Sequence, residues 1–183
     1  MNIAVFCASS RPTVPTFFHV AEQLGIDIAQ RGHTLVYGGS NLGLMGAVST
    51  AALQAGGSVT AVIPTLFSEE VIASQVVTQL VRVSSMAERK EYIIAHSDAF
   101  IALPGGIGTL DEITEVMVAN QLQHLGKPMI LLNVDGFYDP FLAQLRLIQD
   151  RGLLRTDCGL RIASTVDSCW SALEKEEEWM KEA

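Results

Sequence analysis

The chain has 183 residues, 49% of them hydrophobic and 17% charged, which suits one domain spanning 1–183 and excludes a disordered polymer. Its formal net charge of -8 excludes the basic footprint of a nucleic-acid binder. Any phosphate must then be held locally, by backbone N–H groups and a few fixed cations.

In chain order, short apolar runs alternate with longer helical patterns. The runs Ile3–Cys7, Thr34–Tyr37, Val59–Ile63, Leu80–Val83, Ala99–Leu103 and Met129–Leu132 predict strands buried on both faces. A weaker run, Ile162–Val166, predicts a seventh. Between them, helices are predicted over Val14–Arg31, Leu42–Ala55, Met86–His96, Thr109–Leu125, Tyr138–Arg151 and Ser168–Lys181, most of them stopping at glycine. The expected fold class is α/β: a Rossmann-like, doubly wound parallel sheet of six or seven strands with helices on both faces. The acidic run Glu174–Glu178 reads as a solvated helix face.

Cys7, Cys158 and Cys169 are odd in number and widely spaced, which predicts neither a zinc site nor a disulfide framework. The opening segment NIAVFCASS is too short and too soon polar for a signal peptide. No apolar stretch approaches the roughly 20 residues of a membrane helix. A cytoplasmic protein without membrane or nucleic-acid partners is expected. His19, His33, His96 and His124 lack metal-ligand spacing, so no metal is expected, and His124 is at most a weak substrate contact.

In open α/β sheets, ligands sit beyond the carboxyl ends of the strands. Three strand-to-helix junctions stand out there. After the first strand, Ser9 and Ser10 offer hydroxyls and Arg11 a charge. After the second, Gly38-Gly39-Ser40-Asn41-Leu42-Gly43 lets backbone approach a ligand, and the next helix start offers N–H groups to a phosphate. This is neither a P-loop nor the dinucleotide fingerprint, which follows a first strand. The third junction is Pro104-Gly105-Gly106-Ile107-Gly108-Thr109, an anion cradle at a helix start, with Glu112 about one turn (roughly 3.6 residues) inside and Glu115 on the same face. Asp111 there suits the helix dipole. Arg89 and Lys90 place cations at a helix start, where they are mildly unfavourable; this hints at a partner such as phosphate or a carboxylate, although on its own the segment reads better as a surface pair balanced by Glu88 and Glu91.

Together these segments resemble the LOG family, also called lysine decarboxylase-like proteins. The resemblance covers nearly the whole chain. It rests on PGGxGTxxE, here Pro104–Glu112, on MxxRK, here Met86–Lys90, and on YGGSNLGLMG, AHSDAFIALPGG and KPMILLNVDGFYDP. It implies hydrolysis of the N-glycosidic bond of a cytokinin nucleoside 5′-monophosphate, giving free base and ribose 5-phosphate. It implies Arg89 and Glu112 as the catalytic pair. Glu112 would stabilise positive charge on the ribose or activate water, and Arg89 would orient Glu112 or bind substrate. Substrate contacts are expected from Ser9, Gly39, Gly43, Met86, Lys90 and Glu115, and from Pro104, Gly105, Gly106, Gly108 and Thr109. A homodimer is implied as well.

The chain departs from common family residues at Ala8, Ser40, Ser85 and Ala119-Asn120, the last in the helix near the base. No cofactor is expected, since neither Lys90 nor Lys127 sits in a pyridoxal-phosphate motif. Two other readings share the fold: a non-catalytic nucleotide or cofactor carrier, and a nucleosidase preferring AMP.

Overall fold

In the first strand, β1 (Asn2–Phe6), Ile3 and Val5 belong to one core and Ala4 and Phe6 to another. Side chains alternate across a strand, so a run of four buried apolar residues calls for packing on both faces. The computed structural model describes residues 1–12, 14–66, 77–122, 125–154 and 158–174, with the backbone alone over 175–182. Over these residues it has that architecture. After β1 come α1 (Pro15–Gln30), β2 (Thr34–Tyr37), α2 (Gly43–Gln54), β3 (Ser58–Pro64) and β4 (Gln79–Val83). They are followed by α3 (Met86–His96), β5 (Ala99–Ala102), α4 (Ile107–Gln121) and β6 (Met129–Leu132). A 3₁₀ turn (Val134–Gly136), α5 (Asp139–Asp150), β7 (Leu160–Ala163) and α6 (Val166–Glu182) complete the order.

The seven strands form one sheet, ordered β4-β3-β2-β1-β5-β6-β7. Every pairing is parallel. One core lies under α1, α2 and α6, with Leu24, Ile28, Val48 and Trp170; the other lies under α3, α4 and α5, with Ile93, Ile113, Val116 and Leu142. The expected doubly wound sheet is therefore present. The expectation of strands buried on both faces fails at the edges. In β4 only Val83 is buried, and in β7 only Ala163. An edge strand has a neighbour on one side only, so its flanks meet water. The seventh strand also lies earlier than Ile162–Val166. Thr165 and Ser168 exchange side-chain and backbone hydrogen bonds at the start of α6, and this cap ends the strand.

From β1 the sheet grows outward through β2, β3 and β4, then resumes on the other side of β1 with β5. The switch point thus lies between the ends of β1 and β5, where such folds open a crevice. Main-chain bonds knit it: Leu103 N donates to Phe6 O at 2.9 Å, and Ala8 N to Pro104 O at 3.2 Å.

On one face α1 and α2 approach closely. A Cβ added to Gly25 of α1 would stand 2.3 Å from the Val48 carbonyl oxygen of α2. That contact is with backbone, so the helices themselves must part. Gly25→Ala should cost about 1–3 kcal/mol, read as a lowered midpoint in urea unfolding.

Candidate active site

A cavity of about 280 Å³ opens beyond the ends of β1, β2 and β3, walled by α3 and α4. One wall is apolar, with Ala8, Met45, Ile63 and Met86; the other carries Arg89, Lys90, Asp111 and Glu112. A wider groove of about 1070 Å³ runs between α1 and α2 and shares Ser9 and Ser10 with the cavity. The buried charges lie only in the smaller one among the lining residues.

At the back of the cavity, Arg89 Nη1 donates to Glu112 Oε1 at 2.9 Å. Their side chains are 7% and 6% exposed. Arg89 is aimed by the start of α3. Ser85 caps that helix by accepting from Glu88 N, and the Glu88 carboxylate in turn accepts from Ser84 N at 2.7 Å. This reciprocal arrangement is a capping box shifted by one residue. It replaces the surface balance of Arg89 by Glu88 that the sequence allowed. Burial pushes the Glu112 carboxyl above the usual carboxylate range, and Arg89 pulls it back. The same site holds Cys7, whose thiol is driven far up by burial and by the Glu112 charge, and so stays neutral. Tyr138 is likewise kept protonated by burial, with Cys7 and Glu112 adding to it.

The cradle is the start of α4. Gly106 caps it without a side-chain hydrogen bond, and Gly106, Gly108 and Thr109 line the cavity; free N–H groups at a helix start suit an anion. A Cβ on Gly106 or Gly108 would meet no protein atom within 4 Å, so both glycines border open space. Gly105 serves differently: a Cβ there would stand 2.1 Å from Thr109 Oγ1, so its bareness seats Thr109. The strand before the cradle is pinned by Tyr138, whose hydroxyl donates to Leu103 O at 2.7 Å.

The start of α2, expected as a second phosphate site, is already satisfied. Leu44 N and Met45 N both donate to Ala8 O, at 2.9 and 3.2 Å. A helix end occupied by a carbonyl has little left for an anion. Gly43, with φ 58°, packs on the Ser10 carbonyl, where a Cβ would come within 2.2 Å. It lines the wider groove and not the cavity.

Of the expected contacts, the cavity brings together Ser9, Gly39, Met86, Lys90, Gly106, Gly108 and Thr109 with Arg89 and Glu112. Pro104, Gly105, Gly43 and Glu115 do not line it, and Arg11 lies along the wider groove. Lys90 Nζ bridges Asp111 at 2.8 Å and Glu115 at 2.7 Å. The anionic partner that the Arg89-Lys90 pair called for is thus a set of carboxylates of α4. Asp111 and Glu115 hold the Lys90 amine above its ordinary pKa. His124 lies outside the described residues, as do the acidic side chains beyond Glu174. No group of three or more His, Cys, Asp or Glu among the described residues could hold a metal. The sequence reading passed over Cys7, Met45, Ile63 and Tyr138. Tyr138 had a signal, since it lies in the matching segment KPMILLNVDGFYDP, but no chemistry drew attention to it.

A family model described as "Possible lysine decarboxylase" matches residues 45–175. The cytokinin riboside 5′-monophosphate phosphoribohydrolase LOG of Oryza sativa subsp. japonica is 40% identical over 99% of this chain and 74% of its own length. The chain belongs to the LOG family. Cytokinin riboside 5′-monophosphate phosphoribohydrolase LOG5 of Arabidopsis thaliana is 40% identical over 84% of this chain and 68% of its own length. Among solved structures, the molybdenum cofactor binding protein of Rippkaea orientalis superposes with TM-score 0.69 at 27% identity, covering 95% of each chain. The molybdenum cofactor carrier protein of Chlamydomonas reinhardtii shares the fold, with TM-score 0.73 at 24% identity over 97% of this chain and 98% of its own. The decarboxylase wording of the family description finds no Schiff-base lysine among the described residues. In this LOG family chain Lys90 is ion-paired, and Lys127 Nζ donates to the Ile94 carbonyl at the end of α3.

Arg89→Met should leave Glu112 as a buried carboxylate without its cation, at about 3–5 kcal/mol near neutral pH. Losing the cation raises the folded-state pKa of Glu112 further. Stability tied to a raised carboxyl pKa is present at low pH and is lost as pH rises through that pKa. The deficit of the variant should therefore shrink on acidification, measured by urea unfolding of both proteins at acidic and neutral pH.

Proposed function

We propose that this chain hydrolyses the N-glycosidic bond of a cytokinin nucleoside 5′-monophosphate, releasing adenine or an N6-substituted adenine and ribose 5-phosphate. The observation that carries this reading is the Arg89–Glu112 pair, buried at 2.9 Å beside an uncapped helix start in a cavity of about 280 Å³. The names of the plant relatives point the same way.

The roles follow from position. The 5′-phosphate binds the N–H groups at the start of α4, between Gly106 and Thr109, with Ser9 opposite. Holding this unreactive group fixes the bond to be broken. The base lies along Met45, Ile63 and Met86. As the bond lengthens, positive charge grows on the ribose, and the Glu112 carboxylate faces it and takes the proton of the attacking water. Arg89 opposes the burial that raises the pKa of that carboxyl and so favours its ionised form. Lys90, with Asp111 and Glu115, braces α3 against α4 and lends positive potential to the phosphate end.

The carrier reading draws on the Rippkaea orientalis neighbour. A carrier has no use for a buried carboxylate at its back wall, and this favours the hydrolase. The assay is liberation of free base from isopentenyladenosine monophosphate and from AMP, followed by chromatography. Base release is expected, and binding without release would replace the hydrolase by the carrier. Glu112→Gln should cut the rate by about 10²–10⁴-fold while nucleotide still binds.

The working state we propose is a homodimer in the cytoplasm. Along the exposed face of α4, Ile107, Asp111, Thr114 and Val118 follow one another, with Leu122 just past the helix end, and Ile107 lies between two residues lining the cavity. A second copy would cover the large apolar side chains Ile107, Val118 and Leu122 on this mixed face. The cysteines are free and buried, as suits a reducing compartment, and no described helix is long and apolar enough to cross a membrane. Val118→Glu should shift the mass from dimer to monomer in light scattering.

A further inference from the structure

Arg89 occupies space that only a glycine leaves. Gly38 follows β2 directly, and a Cβ built on it would stand 1.7 Å from Arg89 Nη2 and 2.8 Å from Cζ. The guanidinium thus lies against bare backbone. On its other side Nη1 is held by Glu112 Oε1 at 2.9 Å. Arg89 as a whole is 6% exposed, so it has little room for another pose that keeps this bond.

We propose that Gly38 is a positioning residue of the hydrolytic site: its missing side chain is the berth that sets Arg89 on Glu112. This rests on Arg89 and Glu112 being the catalytic pair of the proposed hydrolysis. Gly38 acts through Arg89. Its φ lies outside the left-handed region, so the backbone itself accepts alanine. The clash falls on the far end of a flexible side chain, which can swing aside. Folding should survive the substitution, and the ion pair should not.

Loss of the pair has a directional consequence. Arg89 and Lys90 face Glu112 from α3, Asp111 acts from its own helix, Cys7 from the end of β1 and Tyr138 from the turn before α5. Of the groups that pull the pKa of the Glu112 carboxyl down against its burial, Arg89 is the strongest. Displacing it raises the Glu112 pKa, so the acid limb of the rate profile moves to higher pH.

The test is Gly38→Ala, alone and combined with Arg89→Lys, assayed on isopentenyladenosine monophosphate and AMP. Misplacement of this kind should lower kcat about 100-fold with KM nearly unchanged. The Glu112 carboxyl, followed by ¹³C NMR titration, should move upward in the single variant. Lysine lacks Nη2, the atom nearest the added methyl, so Gly38→Ala should cost far less rate in the Arg89→Lys background. Any stability lost in Gly38→Ala should be restored in the double variant. Unchanged kcat with an unchanged Glu112 titration overturns the proposal. So do rate losses that simply multiply, or a stability loss that survives Arg89→Lys. If Glu112→Gln hydrolyses at the wild-type rate, the catalytic role of Glu112 fails by itself; if the unaltered protein binds nucleotide without releasing base, the hydrolase reading fails by itself; in both cases the NMR titration still decides whether Gly38 seats Arg89.

Discussion

Setting a guanidinium and a carboxylate side by side with almost no solvent costs several kcal/mol per ion before their attraction repays it. The Arg89–Glu112 pair therefore holds only if its surroundings fix both partners. Much of the local architecture meets that demand. The Ser85 cap aims α3, Gly38 clears a berth for the guanidinium, and Ile113 and Val116 anchor α4 in the core around Glu112. A looser frame would let water in and dissolve the pair into two ordinary surface charges.

The same pair of helices carries a second set of charges with a different fate. Lys90, Asp111 and Glu115 sit at the rim, where water screens them, and they tie α3 to α4 without a large desolvation cost. Depth alone separates Asp111 from its neighbour Glu112. The helix starts are sorted in a similar way. That of α4 has no capping side chain, while that of α2 spends its first N–H groups on Ala8. An acidic chain can thus carry an anion site of the proposed kind without a basic surface.

Much of this was legible in the sequence. Buried apolar runs such as Met129–Leu132 have one reading, because a strand covered on both faces needs no polar alternation. PGGxGTxxE and MxxRK are read as two spaced motifs, and the structure brings their Glu112 and Arg89 together. What the sequence hid depends on contacts between distant segments. Ala8 carries no sign that its carbonyl will cap α2. Gly38 and Gly39 look alike in the string Tyr37-Gly38-Gly39, yet one is bare for Arg89 and the other for Ile63. Glu115 shares a helix face with Glu112 to a first approximation, but a turn of helix is enough to carry it out to Lys90. The seventh strand slipped because Ile162 and Val166 are both apolar, while the cap at Thr165 separates them.

Ala8 deserves a last look for what its main chain does. Its N–H bonds the loop after β5, and its carbonyl bonds the start of α2. One residue thereby laces three successive strand ends into a single rim, using peptide groups that every amino acid but proline supplies in full. A rim laced in this way is indifferent to the side chains it displays. Substitutions at Ser9 or Ser10 would leave these main-chain bonds in place, so the side chains shown to a ligand are separable from the frame that holds them.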